Sequence, residues 1–422
     1  MVNAISTLVD GEGLQGDGRW QATMAGTDGS IYGIPCSARK VIKFNPVDKF
    51  ITHIGPDLGD EEKWWTGVMS GNGIIYCVPW TLNRRCILKI DTNTDTVTEL
   101  DIEFPEQVQF AWISGALALD GCIYYMPSRA RRILKLDPSD DSLCSVGDDL
   151  GDESYKYLYS VAVASINCNS GCIYGLPNSS KRIVKYDPIN DITSYVGDET
   201  NGKYKCSGGT VGRDGNIYAL TKAGFILKID TSHDKYKFVG DGIVVGESNG
   251  WGDAITGNDG CIYWPPCNAT HILKYDIDTN QTSFVGDDFG SDQRKWSTGV
   301  LAPDGVIYCL PCESTRGILL IDPFRDFRAA ITANMEEHPE ELGFLFDIHK
   351  DAAMTHFKAA IIKFGFKQTL KVLEGCMPPP NEICTLSNLY PFMTAASQKE
   401  CPLSIVYFLL RQCPNFVIFC IV

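Results

Sequence analysis

Positive charge is scarce in this 422-residue chain: 37 Lys and Arg stand against 52 Asp and Glu, a formal net charge of −15. Nucleic-acid backbones and anionic membrane surfaces both call for a basic footprint, so neither is expected as a partner. No apolar run approaches the roughly 18 residues of a membrane-spanning helix. The apolar end, Phe416 to Val422, is far too short. The start, Met1 to Ile5, has neither a charged segment nor an apolar one, so no secretory leader is expected. Histidine is rare. There are six, and three of them (His338, His349, His356) lie in the last quarter of the chain. No Ser/His/Asp or Cys/His constellation can be assembled from so few. Cysteine is not scarce, at 17, but the total is odd and many sit inside strand patterns (Cys77, Cys122, Cys172, Cys261, Cys309). There Cys acts as a small hydrophobe, and the expectation is reduced thiols in a cytoplasmic protein.

What is abundant is one phrase. Ile31-Tyr32-Gly33-Ile34-Pro35 returns at Ile75, Ile123, Ile173, Ile217, Ile262 and Ile307, with tyrosines 44, 48, 50, 44, 45 and 45 residues apart. Each copy sits among β-branched and aromatic runs of about five residues, separated by Gly, Asp, Asn and Pro, which is strand-and-turn composition. In the second repeat the expected strands are Trp65 to Ser70, Ile74 to Pro79, Cys86 to Ile90 and Thr96 to Leu100. They are labelled a, b, c and d in chain order. A period of roughly 40–50 residues with four such runs predicts a mainly β, seven-bladed β-propeller. Strand a carries Gly and Ala (Gly67, Gly115, Ala116, Gly208, Gly209, Ala254, Gly299), as the narrow innermost strand must. The seventh repeat lacks a strand d, and Ile5 to Gly11 aligns with Thr282 to Asp288. An N-terminal strand is therefore expected to complete the last blade and close the ring.

These "Asp-Gly-x-Ile-Tyr … Ile-x-Lys-Ile-Asp" repeats resemble the kelch-like, NHL-like and YVTN-like propellers, including the virginiamycin B lyase-like group. The likeness covers residues 5–323. No Gly-His … Trp-Asp pair recurs, which sets the chain apart from WD40 repeats, and the kelch diglycine occurs once, at Gly208-Gly209. The lyase resemblance implies a catalytic His and a metal-binding acid on the ligand face. His271, with Glu313 near it, is the candidate in this sequence.

The domains are expected at 1–326 (propeller), 327–345 (linker) and 346–422 (helical tail). Phe346 to Leu373 alternates at helical spacing, and Pro391 to Ala396 followed by Leu403 to Arg411 is similar to an ankyrin-type helix pair.

In a propeller the d–a and b–c loops open on one face, where ligands bind. The d–a loops are acidic, as in Asp57 to Glu62, Asp148 to Glu153 and Asp287 to Asp292. The b–c loops end in base: Arg39, Arg84, Arg131, Arg182, His271 and Arg316. One reading is mutual neutralisation in exposed ion pairs worth about 0–1 kcal/mol each. The other is a basic collar that holds an anionic group, for which Arg forks are suited. Trp20, Trp64, Trp112, Trp251 and Trp296 share one repeat position at the start of strand a; Tyr159 and Cys206 stand there in blades four and five. They are either wedges between blades or an aromatic funnel that stacks on a sugar or peptide. Cys309-Leu310-Pro311-Cys312 has redox spacing, but it leaves a strand for a loop, where nothing lowers a thiol pKa. Cys36, Cys267 and Cys312 stand on different blades, about 10 Å apart where sheets pack face to face, too far to share a zinc. The strand c lysines (Lys43, Lys89, Lys135, Lys185, Lys228, Lys274) are expected on a solvated face.

The functional expectation is a non-catalytic binding or scaffold protein without cofactor. The face formed by its d–a and b–c loops would take a protein, peptide or small ligand. The alternative is a metal-dependent propeller enzyme of lyase or hydrolase type built on His271.

Overall fold

β-branched and aromatic runs broken by tight turns leave the chain few choices but strands, and strands with two apolar faces must be covered on both sides. The computed structural model describes residues 5–325 apart from 10–13, 15–18, 82–83, 107–108, 152–158, 166–170, 200–204, 243–249 and 313–316. The expected helical tail, 346–422, lies outside the described residues. The chain divides into two compact units, Met1–Ile321 and Asp322–Val422, and the first is described here.

Its described residues hold 28 strands in seven four-stranded antiparallel sheets, in the order a-b-c-d wherever the blade is continuous in sequence. The second blade is Val68–Met69, Ile74–Cys77, Cys86–Asp91 and Thr96–Asp101. The seventh is Val300–Leu301, Ile307–Cys309 and Ile318–Ile321, completed by the N-terminal Ser6–Val9. There Ser6 pairs with Ile321 and Val9 with Ile318, as the alignment of the chain's start with a strand d predicts. Every strand a contacts strand a of both neighbouring blades, so a is innermost and the ring is closed.

Burial follows position. Strand b is buried along its length, as at Ile31–Pro35 and Ile123–Pro127; strand c alternates, and strand d is mostly outward. Cores form between blades rather than within them. Ile34 and Val41 of blade one pack with Ile75, Cys77, Leu88 and Ile90 of blade two.

The strand c lysines do not form the solvated face expected of them. Each described ammonium sits over the strand b tyrosine of its own blade, 5.2–5.8 Å from the ring centroid, and reaches an aspartate. In blades one, two and four an aspartate of the next blade takes part: Lys43, which also reaches Asp28 of its own a–b turn at 2.8 Å, to Asp95, Lys89 to Asp141 and Lys185 to Asp234, these three at 2.6–2.7 Å. Tyr32, Tyr76 and Tyr174 donate their hydroxyls to the same carboxylates. These aspartates have left-handed backbones (φ 57°, 61° and 51°) in the c–d turns, a conformation Asp tolerates better than most residues. In blades three, five and six the partner is the blade's own a–b turn aspartate: Asp120, Asp214 or Asp259. Ten described cysteines are free thiols, and Cys172 is disulfide-bonded, a departure from the all-reduced expectation.

Candidate functional site at the mouth of the central channel

Strand a enters the channel with a defect repeated from blade to blade. In blades one, three, four and five the a–b register slips by one residue directly after the aligned position, an aromatic in three of them and Cys206 in the fourth, between Trp20 and Ala22, Trp112 and Ser114, Tyr159 and Val161, and Cys206 and Gly208. In blades two and six the same slip separates the bridges Trp64–Pro79 and Trp251–Pro266 from the ladders that resume at Val68–Tyr76 and Ile255–Tyr263. A bulge inserts one unpaired residue and re-aims its neighbours. Here it turns the residue after the aligned position toward the channel: Gln21, Trp65, Ile113, Ser207 and Gly252 line it, as does Ser297 at the same position of blade seven. A second column comes from the residue that follows strand b, with Trp80, Asn178, Cys267 and Cys312. Because strands a and b are antiparallel, the start of a and the end of b meet at one end of the sheet. That end carries the d–a and b–c loops.

Two recesses lie there, of about 330 and 340 Å³, sharing Trp65, Thr66, Ser207 and Asp253. One wall is aromatic. Trp65 stacks on Trp80 with centroids 4.5 Å apart, Trp80 meets Phe110 at 4.4 Å, and the Arg129 guanidinium lies 4.8 Å from the Phe110 centroid. Phe110 is held with φ 60° and donates its N–H to the Trp80 carbonyl. Such a backbone in a bulky residue costs about 1–3 kcal/mol and persists only where its surroundings enforce it.

Opposite stands Asp253. Its backbone N–H donates to the Ser297 carbonyl, while its carboxylate has no hydrogen-bond or ion-pair partner among the described residues. Loss of water alone raises its pKa to about 7. The channel still exposes part of the residue, so solvation moderates that rise. Two glycines make its place. A Cβ on Gly208 would lie 2.5 Å from the Asp253 Cα, and one on Gly252 only 2.2 Å from the Ser297 carbonyl oxygen. The remaining lining is neutral and hydrogen-bonding (Thr66, Ser114, Asn178, Ser207, Asn268), except for Arg294 at the rim. A third recess, of about 230 Å³, lies on the far side of Trp80 against Phe104 and Trp112. Of the three carboxylates in its lining, Asp101, Glu103 and Glu106, the last already accepts the backbone N–H groups of Arg131 and Arg132.

The residues singled out in the sequence take other places. Trp20, Trp64, Trp112 and Trp296 are buried, and Trp251 is half-buried at the channel rim. All five indoles donate N–H to the backbone carbonyl where strand c begins: Lys40, Cys86, Arg132, His271 and Gly317. Their N–H groups are spent within the blade, and Trp251 alone of the five lines either channel recess. Arg39 pairs with Asp57, Arg84 with Glu61 and Glu99, Arg131 with Asp149, and Arg182 with Glu199. An incoming anion would have to displace these carboxylates. The His271 Nδ1 lies 2.9 Å from the Thr270 hydroxyl, and the ring packs 6.4 Å from Phe284. His271 lines neither channel recess. Arg316 and Glu313 lie outside the described residues.

The acidic d–a loops hold a cation of their own. The buried Lys63 ammonium donates to the carbonyls of Gly59 and Glu61, and Lys295 does the same to Gly290 and Asp292. Among the described residues no three His, Cys, Asp or Glu side chains are grouped to hold a metal. Burial pushes the Cys309 thiol well up, and Cys312 is buried with its Sγ 3.2 Å from the Gln21 side-chain oxygen.

The channel-facing columns were missed in the sequence, but a signal for them exists. The framework positions repeat in kind, as in the Ile-Tyr of strand b, whereas the residue after the aligned aromatic runs Gln, Trp, Ile, Ser, Gly, Ser. A position that changes chemistry from blade to blade inside a regular repeat is free of the packing constraint.

No family model matches the chain, and no curated protein matches it. Solved structures share its fold. A streptogramin B lyase is 15% identical, with a TM-score of 0.59 over 75% of this chain and 96% of that one. A catalytically inactive virginiamycin B lyase from Staphylococcus aureus with quinupristin is 14% identical, with a TM-score of 0.60 over 75% and 98%. Hydrazine synthase from Kuenenia stuttgartiensis is 12% identical, with a TM-score of 0.56 over 75% and 99%. Proteins of such different chemistry on one fold leave function to the site, and what these neighbours have in common with this chain is the seven-bladed propeller.

Proposed function

We propose that this protein is a non-catalytic binding module whose small ligand enters the mouth of the central channel on the d–a and b–c loop face. One observation carries the reading: two recesses of ligand size converge on an aromatic wall, Trp65 and Trp80, and on a carboxylate, Asp253, that no described residue satisfies. Concave, mostly preformed sites with a few polar groups are where small molecules bind. An unpaired, desolvated carboxylate in a cleft is a costly feature that a folding role does not explain. The outer Arg–carboxylate pairs then act as rim rather than as anchor. The enzyme alternative places the chemistry on His271, whose ring is directed to Thr270 and Phe284.

The test is a thermal-shift screen of metabolites on the full chain, repeated on Trp65→Ala. The reading predicts compounds that raise the wild-type midpoint by a few degrees at saturating concentration and leave the variant's midpoint unchanged. Compounds that stabilise both proteins equally would move the site elsewhere.

A further inference from the structure

The recess differs on its two sides in a way that selects ligand charge. On one side the Trp65 ring, backed by Trp80, offers an apolar and π-rich surface. On the other, Asp253 is the carboxylate of the lining, with Thr66, Ser114, Asn178 and Ser207 completing a neutral polar floor. The cation in the lining, Arg294, stands at the exposed rim and makes no ion pair with Asp253. Of the thiols nearby, Cys267 stays protonated, since burial pushes it up to about 11, and Cys312 is buried beside it. A ligand anion would meet Asp253 as a like charge, and a neutral ligand would leave it unsatisfied. An ammonium satisfies the carboxylate by a charge-assisted hydrogen bond and at the same time favours an indole face.

We propose that the channel mouth binds small organic amines, with the protonated nitrogen on Asp253 and the hydrocarbon body against Trp65 and Trp80. This rests on the channel-mouth reading above and narrows it to one chemical class. The recess volumes of about 330 and 340 Å³ suit an aryl-alkyl amine of fragment size. Gly208 and Gly252 belong to the same device: they clear the backbone space that lets an aspartate stand at this point of the ring.

Three probes of one shape separate the possibilities: phenethylamine, 2-phenylethanol and 3-phenylpropionate, titrated into the full chain at pH 8, where Asp253 is ionised and the amine is still protonated, and followed by tryptophan fluorescence. Phenethylamine is expected to bind at least about tenfold more tightly than the alcohol, and the propionate more weakly still. Asp253→Asn, an isosteric change, is expected to erase the preference for the amine over the alcohol. Trp65→Ala is expected to weaken all three. Equal binding of amine and alcohol, or an amine preference that survives Asp253→Asn, overturns the amine assignment. If that binding is still lost in Trp65→Ala, the channel-mouth reading stands. If none of the three binds at millimolar concentration, or Trp65→Ala leaves all three unchanged, both readings fall.

Discussion

Asp253 is the residue at which folding and the proposed binding role pull in opposite directions. Its pKa in the native protein, about 7, lies above the ordinary aspartate value of about 3.9. The folded state therefore holds the proton more tightly than the unfolded state. Its cost to stability is absent below pH ~4, grows as pH rises and is complete above ~7. Among the described residues, the other charged and titratable groups of its recess are Arg294, Cys267 and Cys312, and burial holds the Cys267 thiol up at about 11, above that range. Asp253→Asn is accordingly expected to raise stability at pH 8 by about 1–2 kcal/mol, less than the full linkage value because water reaches the channel. At pH 4 the two proteins should be equally stable. Denaturant unfolding at both values checks this; an equal change at both pH values would assign the effect to packing.

At the scale of the element, the blades are tied through their turns as well as their faces. Lys89, Tyr76 and Asp141 form one such tie between blades two and three. Asp141→Ala removes the partner of a half-buried ammonium and a buried phenol and places Ala in a left-handed turn. A loss of about 2–4 kcal/mol in unfolding free energy is expected. Asp141→Asn keeps the turn and the phenol's acceptor and should lose about half as much. A neutral Asp141→Ala would show that these ties are solvent-screened pairs of the kind expected from the sequence. The strand register itself was legible, because Ile-Tyr runs and Asp-Gly turns fix where each ladder begins. The inter-blade ties were not, because they join residues about fifty positions apart through side chains that also look natural on a wet surface. The bulge after each aromatic was hidden for a related reason. Strict alternation places the Trp column and its neighbour on opposite faces, and one extra residue reverses which of them faces the channel.

For the whole molecule, closure by the first strand was readable from the missing strand d of the seventh repeat, and Ser6–Val9 pairs where that gap predicted. Ser6 also accepts the backbone N–H of Asp287 through its hydroxyl, so the first strand bridges blades six and seven. A chain lacking residues 1–9 leaves Ile318–Ile321 as an open, apolar edge. It is expected to unfold at a lower temperature and to self-associate in light scattering, and a peptide of residues 1–9 added in trans should reverse that self-association by strand addition. An unchanged melting profile would contradict closure as a source of stability. The ring explains why the end that carries the recesses was foreseeable while the residues lining them were not. Topology brings seven strand starts to one mouth, yet which side chain each contributes depends on the bulge.

The most direct measurement is a crystal structure of the full chain with a compound that passes the thermal-shift screen. The account predicts density for it between the Trp65 ring and the Asp253 carboxylate, with the outer Arg39–Asp57 and Arg131–Asp149 pairs intact. Density at that outer rim, with those pairs broken and the channel mouth empty, would contradict it.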